Sequence, residues 1–159
     1  MGRDKPRPYA MAEKYFNRRE AEDLLPFIEH CLVEARESKE KLEALDRELA
    51  RATTQIMVLG GSVPPYARLA ANRSEREQFM TKLRETINRI HETGCIVKDL
   101  EEGLIDFPAL RKGEEVCLCW KLGEERIAFW HRMEEGFAGR KPLEDAGPEE
   151  PPPGPTRLH

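Results

Sequence analysis

The longest regular pattern of the chain lies in residues 26–59, PFIEHCLVEARESKEKLEALDRELARATTQIMVL. Apolar or small residues recur there at steps that alternate mostly between four and three, which is the spacing of one face of an α-helix. They are Ile28, Leu32, Ala35, Ser38, Leu42, Leu45, Leu49, Ala52, Ile56 and Leu59. The stripe resembles a coiled-coil seam and predicts one long amphipathic helix.

Local signals predict where this helix begins and ends. Asn17 and Glu20 have the spacing of a capping box, so the helix should begin near Asn17. Pro26 should interrupt it with a kink or a restart, because proline has no backbone N–H to donate. Gly60 and the paired prolines at 64–65 should end the helix and turn the chain back.

A second helix is expected to run antiparallel to the first. Asn72 and Glu75 form another capping box, after a weakly helical stretch at residues 66–71. The helical spacing then continues as far as Gly94, through Met80, Leu83, Ile87 and Ile90. Residues 15–94 therefore predict a helical hairpin.

The pattern changes period after Gly94. Short β-branched or aromatic runs, separated by glycine-containing turns, occupy residues 96–100, 104–107, 116–121 and 126–131. They predict an antiparallel meander over residues 95–143. Pro108 should lie at a strand end or a sheet edge, because its nitrogen has no proton for a ladder. The predicted fold is α+β, with a long antiparallel helical hairpin followed by a small antiparallel β-meander in one domain, residues 15–143.

Composition narrows the class of protein. Residues 1–14 and 144–159 are polar, contain proline and have no period, which predicts a disordered lead-in and a disordered Pro-rich tail. The formal net charge of -4 provides no global positive field, so nucleic acid is not expected as the main partner. No apolar run approaches the roughly 18 residues of a membrane helix, so we expect no membrane partner and a cytoplasmic location.

Several residues could do chemistry. The four cysteines, at 31, 95, 117 and 119, lack a C-x-x-C pair and are expected to be reduced thiols. An acid–base site could use Asp106, Cys119, His131 and Glu135, and a metal could use Cys119, His131 and Glu134. The alternative for these groups is structural hydrogen bonding. No organic cofactor is predicted, and a divalent metal is compatible with the residue types.

A glycine-rich segment closes the predicted domain. Gly136 and Gly139 could offer backbone donors to an anion, and Arg140 could offer its guanidinium. The alternative is a plain glycine loop.

The C-terminal block resembles a known family. The matching segments are GCIVKDLEEGLIDFP at residues 94–108, CWKLGE at 119–124, FWH at 129–131 and GFAGR at 136–140. They are similar to the prokaryotic family catalogued as domain of unknown function 2203, and the resemblance covers roughly residues 15–143. Cys117 departs from the family pattern, which has a larger apolar or aromatic residue there. The resemblance implies a bacterial-type cytosolic protein and assigns no catalytic residue.

Three functional hypotheses follow. The leading one is a non-enzymatic interaction or scaffold protein that forms a homodimer, or binds another helical protein, through Leu42, Leu45, Leu49, Ala52 and Ile56. The second is a small metal-dependent or acid–base enzyme with its site at the sheet end. The third is an anion-binding module that uses Arg140.

Overall fold

The computed structural model describes residues 14–60 and 65–143. Two helices come first, α1 (Arg18–Leu59) and α2 (Tyr66–Glu92). The strands that follow are β1 (Ile96–Asp99), β2 (Leu104–Arg111), β3 (Glu114–Lys121), β4 (Phe129–Arg132) and, after a short 3-10 turn at Phe137–Gly139, β5 (Lys141–Pro142). They form one antiparallel sheet in the order β1-β2-β3-β4-β5. The predicted α+β fold is confirmed.

Two compact units make up the chain. Among the described residues, one unit holds 14–29 together with 90–143, and the other lies within His30–Arg89. The predicted tails, residues 1–14 and 144–159, lie outside the described residues except for Lys14. Neither helix is long and apolar enough over the described residues to cross a membrane.

The start of α1 confirms one prediction and corrects another. The side-chain oxygen of Asn17 accepts a hydrogen bond from the backbone N–H of Glu20 at 2.7 Å, as a capping box requires. The expected restart at Pro26 is wrong, because α1 continues through this residue. A proline removes one helical hydrogen bond, and the buried side chains of Leu25 and Ile28 on either side favour the uninterrupted helix.

In the unit His30–Arg89, which we call the helical unit, polar groups join α1 to α2. The amide of Asn72 donates to the backbone carbonyl of Leu45 at 2.9 Å, and Arg89 pairs with Glu34 at 2.7 Å. The prediction that Asn72 caps a helix is wrong, because α2 already begins at Tyr66. The buried side-chain amide of Asn72 instead donates a hydrogen bond to the neighbouring helix.

In the sheet unit, Pro108 lies in the middle of β2, which is an interior strand of the sheet. The prediction of a strand end is therefore wrong. The alternative of a sheet edge holds locally, because β1 pairs with β2 only as far as Asp106. Pro108 is opposite Cys117 on β3, and its carbonyl accepts the N–H of Phe16 at 2.7 Å. In an antiparallel strand the N and O of one residue point the same way, so the proline nitrogen also faces away from β3. The β2–β3 ladder loses no hydrogen bond.

Alternation gives the sheet two different faces. One face carries the apolar side chains of Ile105, Phe107, Ala109, Val116, Leu118 and Trp120, all of them buried. Phe16 packs edge-to-face against Phe107, with ring centroids 5.3 Å apart. The residues in between, on β2 and β3, put a set of polar and thiol side chains on the opposite face.

Candidate functional site

The register of three strands brings acid, thiol and imidazole groups to that second face. Asp106 of β2 lies opposite Cys119 of β3, and Cys117 of β3 lies opposite His131 of β4. Residues directly opposite each other in a sheet share a face, and so do residues two apart on one strand. Four reactive side chains therefore converge without any loop contribution.

Three of these side chains form a tight cluster. A carboxylate oxygen of Asp106, the sulfur of Cys117 and a ring nitrogen of His131 all lie within 4.8 Å of one another. Nε2 of His131 is 3.0 Å from Oδ1 of Asp106. The exposed fractions of the three residues are 1%, 0% and 2%, respectively. We call these three residues the sheet-face cluster.

Both ring nitrogens of His131 face hydrogen-bond acceptors. Nδ1 is 2.8 Å from the backbone carbonyl of Arg132, and Nε2 faces the carboxylate of Asp106. Burial disfavours a charged imidazole, but the hydrogen bonds to Asp106, Cys119 and that carbonyl raise the pKa of His131 to about 10. His131 is therefore an imidazolium at neutral pH.

The thiol of the cluster is neutral. Burial raises the pKa of Cys117, and the negative charge of Asp106 raises it further. The sulfur of Cys117 also lies 3.5 Å from the thioether sulfur of Met133. All four cysteines of the chain are buried free thiols. The cluster consequently holds one ion pair and one neutral thiol.

The sequence-predicted site is brought together only in part. Asp106, Cys119 and His131 share a sheet face, as that hypothesis needs. Glu134 is exposed. The carboxylate of Glu135 pairs with Lys141 at 2.6 Å and lies 3.3 Å from the backbone N–H of Arg132, which accounts for its lowered pKa.

Sequence reasoning missed Cys117 as a member of the site. The usable signal was its two-residue spacing from Cys119, which puts both thiols on one face of a strand. The partner of Cys117 across the sheet depends on how the connection between β3 and β4 sets the register, and spacing alone does not give it.

Internal partners engage the predicted anion-binding residues. The guanidinium of Arg140 donates to Glu124 at 2.5 Å and to the backbone carbonyl of Cys119 at 3.2 Å. It also stacks over the ring of Phe129, 4.0 Å from its centroid. The backbone N–H of Gly139 donates to the carbonyl of Gly136 at 2.9 Å. An anion would have to displace Glu124 to reach this guanidinium.

The predicted self-association residues differ in burial. Leu45 is buried, Leu49 is 36% exposed, and Leu42, Ala52 and Ile56 are half-buried. No residue from 46 to 59 in α1 is buried, and none from 66 to 71 in α2. We call the exposed large apolar side chains of these two segments the distal helical surface, which comprises Leu49, Met57, Val58, Leu59 and Tyr66.

A groove of about 570 Å³ lies beside the distal helical surface. Its walls combine apolar and charged side chains, including Leu49, Tyr66, Leu69, Arg73 and Glu77. The helical unit thus presents both an apolar surface and a concave site.

Comparison with known proteins places the chain in a family. The model of the uncharacterized conserved protein family DUF2203 matches residues 14–143. The chain belongs to this family. Among curated proteins and among solved structures, no match was found. The matched residues span both helices and all five strands. They include the sheet-face cluster and the distal helical surface.

Proposed function

We propose that this DUF2203 protein is a non-enzymatic interaction module that self-associates through the distal helical surface. The observation that supports the proposal is the burial pattern of α1. Residues 46–59 contain several large apolar side chains, and none of them is buried. Groups of exposed large apolar side chains often mark interaction sites in soluble proteins.

The exposed side chains are large and lie close together along the chain. Met57, Val58 and Leu59 end α1 with exposed fractions of 78%, 76% and 64%, and Tyr66 begins α2 at 68%. Full burial of one such side chain is worth roughly 1.5–3 kcal/mol. Covering several of them together would offset a large share of the entropy that association costs.

A second copy of the chain is the partner that this surface fits. Arg47 and Arg51 are exposed in the same stretch of α1, and the exposed Glu77 of α2 lines the groove together with Leu49 and Tyr66. Two copies related by a twofold axis can therefore set opposite charges against each other around the apolar side chains. The result would be a four-helix arrangement built from two helical pairs.

The burial of the sheet-face cluster also supports a non-enzymatic role. A substrate would have to reach Asp106 or His131 through a layer that leaves them at most 2% exposed. Enzymes usually place such groups in clefts that are open to substrate. The cluster fits an internal role better than a catalytic one.

Light scattering coupled to size exclusion tests the proposal on the full chain at tens of micromolar. We expect a dimer for the wild type and a monomer with unchanged helicity for the double variant Leu49→Glu, Met57→Glu. Val33→Glu is the matched control, because Val33 is 45% exposed and lies about 160° around α1 from Leu49. The control should remain a dimer. A wild type that is monomeric throughout would overturn the proposal.

A further inference from the structure

We propose that Asp106, Cys117 and His131 form a binding site for one divalent metal ion of the zinc class. This site is separate from the distal helical surface and does not depend on the proposed self-association. The three donors come from three adjacent strands, so the sheet itself holds them in place.

The distances suit a small metal ion. Zinc bonds to thiolate, imidazole and carboxylate at about 2.3, 2.0–2.1 and 2.0–2.2 Å, so its ligand atoms lie roughly 3.3–3.6 Å apart in a tetrahedral site. The three donor atoms already lie within 4.8 Å of one another, and the Asp106–His131 distance is 3.0 Å. Side-chain adjustments of at most about 1.5 Å bring the donor atoms to these distances.

The orientation of His131 is that of a metal ligand. A ligating histidine usually donates its second ring N–H to a carbonyl or carboxylate, which fixes the tautomer and the ring plane. Nδ1 of His131 lies 2.8 Å from the carbonyl of Arg132, as such a bond requires, and Nε2 lies 3.0 Å from the carboxylate of Asp106. The hydrogen bond that usually orients a metal-binding histidine is therefore present at Nδ1 of His131.

The charges of the ligands suit a divalent ion. A metal binds thiolate and neutral imidazole, so binding would release protons from the donor atoms. The dication would then balance the carboxylate of Asp106 and the thiolate of Cys117, so the occupied site would bury no net charge.

The donor types select the metal. Thiolate and imidazole favour zinc and its neighbours in the transition series, whereas magnesium and calcium require oxygen donors. The two oxygens of Asp106 can occupy two positions, so three side chains suffice for a four-coordinate site.

The test uses the full chain without an affinity tag, reduced and stripped of metal with a chelator. Titration with Co²⁺ should give one equivalent per chain and a thiolate-to-cobalt charge-transfer band. Zn²⁺ should then displace the cobalt and raise the thermal midpoint. Protons should be released as the metal ion binds.

Two variants locate the site. Cys117→Ser should abolish the charge-transfer band and weaken binding by more than about 100-fold, beyond the 10–100-fold that loss of a supporting group costs. Cys31→Ser is the matched control, since it removes another buried thiol, in the helical unit, and it should leave the band intact.

X-ray absorption on the zinc-loaded wild type identifies the ligand atoms directly, so the test remains decisive if Cys117→Ser does not fold. One sulfur with nitrogen and oxygen donors is the expected ligand set. The proposal is overturned if the folded wild type takes up no stoichiometric Co²⁺ or Zn²⁺, if the bound zinc has no sulfur ligand, or if Cys31→Ser abolishes the band.

Discussion

At the scale of single residues, the Asp106–His131 pair combines complete burial with opposite charge. The two side chains are 3.0 Å apart, and each is 2% exposed. Taking both charges out of water is expensive, so the pair is stabilising only as a pair. Removing one partner leaves the other as an uncompensated buried charge.

We expect His131→Gln and Asp106→Asn each to lower the free energy of unfolding by about 3–5 kcal/mol. The measurement is chemical denaturation of the metal-free protein near neutral pH. Asp46→Asn is the control, because the Asp46–Arg76 pair is as close, at 2.9 Å, but its side chains are 57% and 37% exposed. That change should cost no more than about 1 kcal/mol. Equal losses in the buried and the exposed pair would contradict the interpretation.

The protonation of His131 predicts a pH dependence of stability. Its pKa is raised from 6.5 to about 10, so the folded protein holds a proton that the unfolded chain releases. The resulting stabilisation is complete below about pH 6.5 and is lost as pH rises toward 10. Between pH 6.5 and about 8.5, the free energy of unfolding should fall by about 2 kcal/mol. The range ends there because the thiols of the unfolded chain ionise at higher pH and would add their own effect.

Denaturation at a series of pH values measures this loss, and the same series on His131→Gln provides the reference. The variant should show a flatter profile over this range. If the wild type and the variant have parallel profiles, His131 is not the group responsible.

At the scale of elements, α1 is a 42-residue helix with a proline inside it. The ring of Pro26 removes one backbone hydrogen bond and crowds the preceding turn, which costs a helix about 3 kcal/mol. Pro26 is exposed, so its side chain contributes little burial in return.

Pro26→Ala should therefore raise the free energy of unfolding by about 1–3 kcal/mol, with the thermal midpoint as the measurement. Glu29→Ala is the control, because Glu29 is also exposed in the same stretch of α1 and already has its backbone N–H. It should change the stability by less than about 0.5 kcal/mol. A loss of stability in Pro26→Ala would show that the ring makes a packing contribution.

The sequence predicts these elements well where one signal dominates. The long stripe of α1 and the box at Asn17 define a helix, and the glycine-separated runs define strands. The wrong predictions concern residues with two roles. Asn72 has the spacing of a helix cap, but its side-chain amide donates to a carbonyl of the neighbouring helix. Pro108 has no N–H, but its nitrogen lies on the side of β2 that makes no hydrogen bond to β3.

The sequence predicts the types of residue in the candidate site, but not which cysteine belongs to it. Asp106 and His131 are acid and imidazole groups in adjacent runs, and this much is visible in the sequence. Whether Cys117 or Cys119 approaches His131 most closely depends on strand register and side-chain rotamer. A shift of register by one residue would place these groups on the opposite face.

At the scale of the whole molecule, burial is distributed unevenly along the chain. Central residues of β2 and β3 are buried on both sheet faces. Residues 46–59 and 66–71 contain no buried position. Since local opening is cheapest where few apolar groups are buried, the two regions should differ in stability.

Among the described residues, amide hydrogen exchange should therefore be slowest in β2 and β3 and fastest in residues 46–59 and 66–71. If the distal helical surface associates, exchange in those helical segments should slow as the protein concentration rises, whereas β2 and β3 should not change. Mass spectrometry of peptic fragments measures both effects. Faster exchange in β3 than at the end of α1 would contradict the prediction.

The position of Pro108 has a consequence for the sheet's resistance to aggregation. β1 pairs with β2 only as far as Asp106, so the outer side of β2 beyond that residue is a potential docking site for a strand from another molecule. Pro108 offers no donor on that side, and the N–H of Phe16 already occupies its carbonyl. At this position of β2, one ring and one hydrogen bond therefore leave no backbone group free for edge-to-edge pairing.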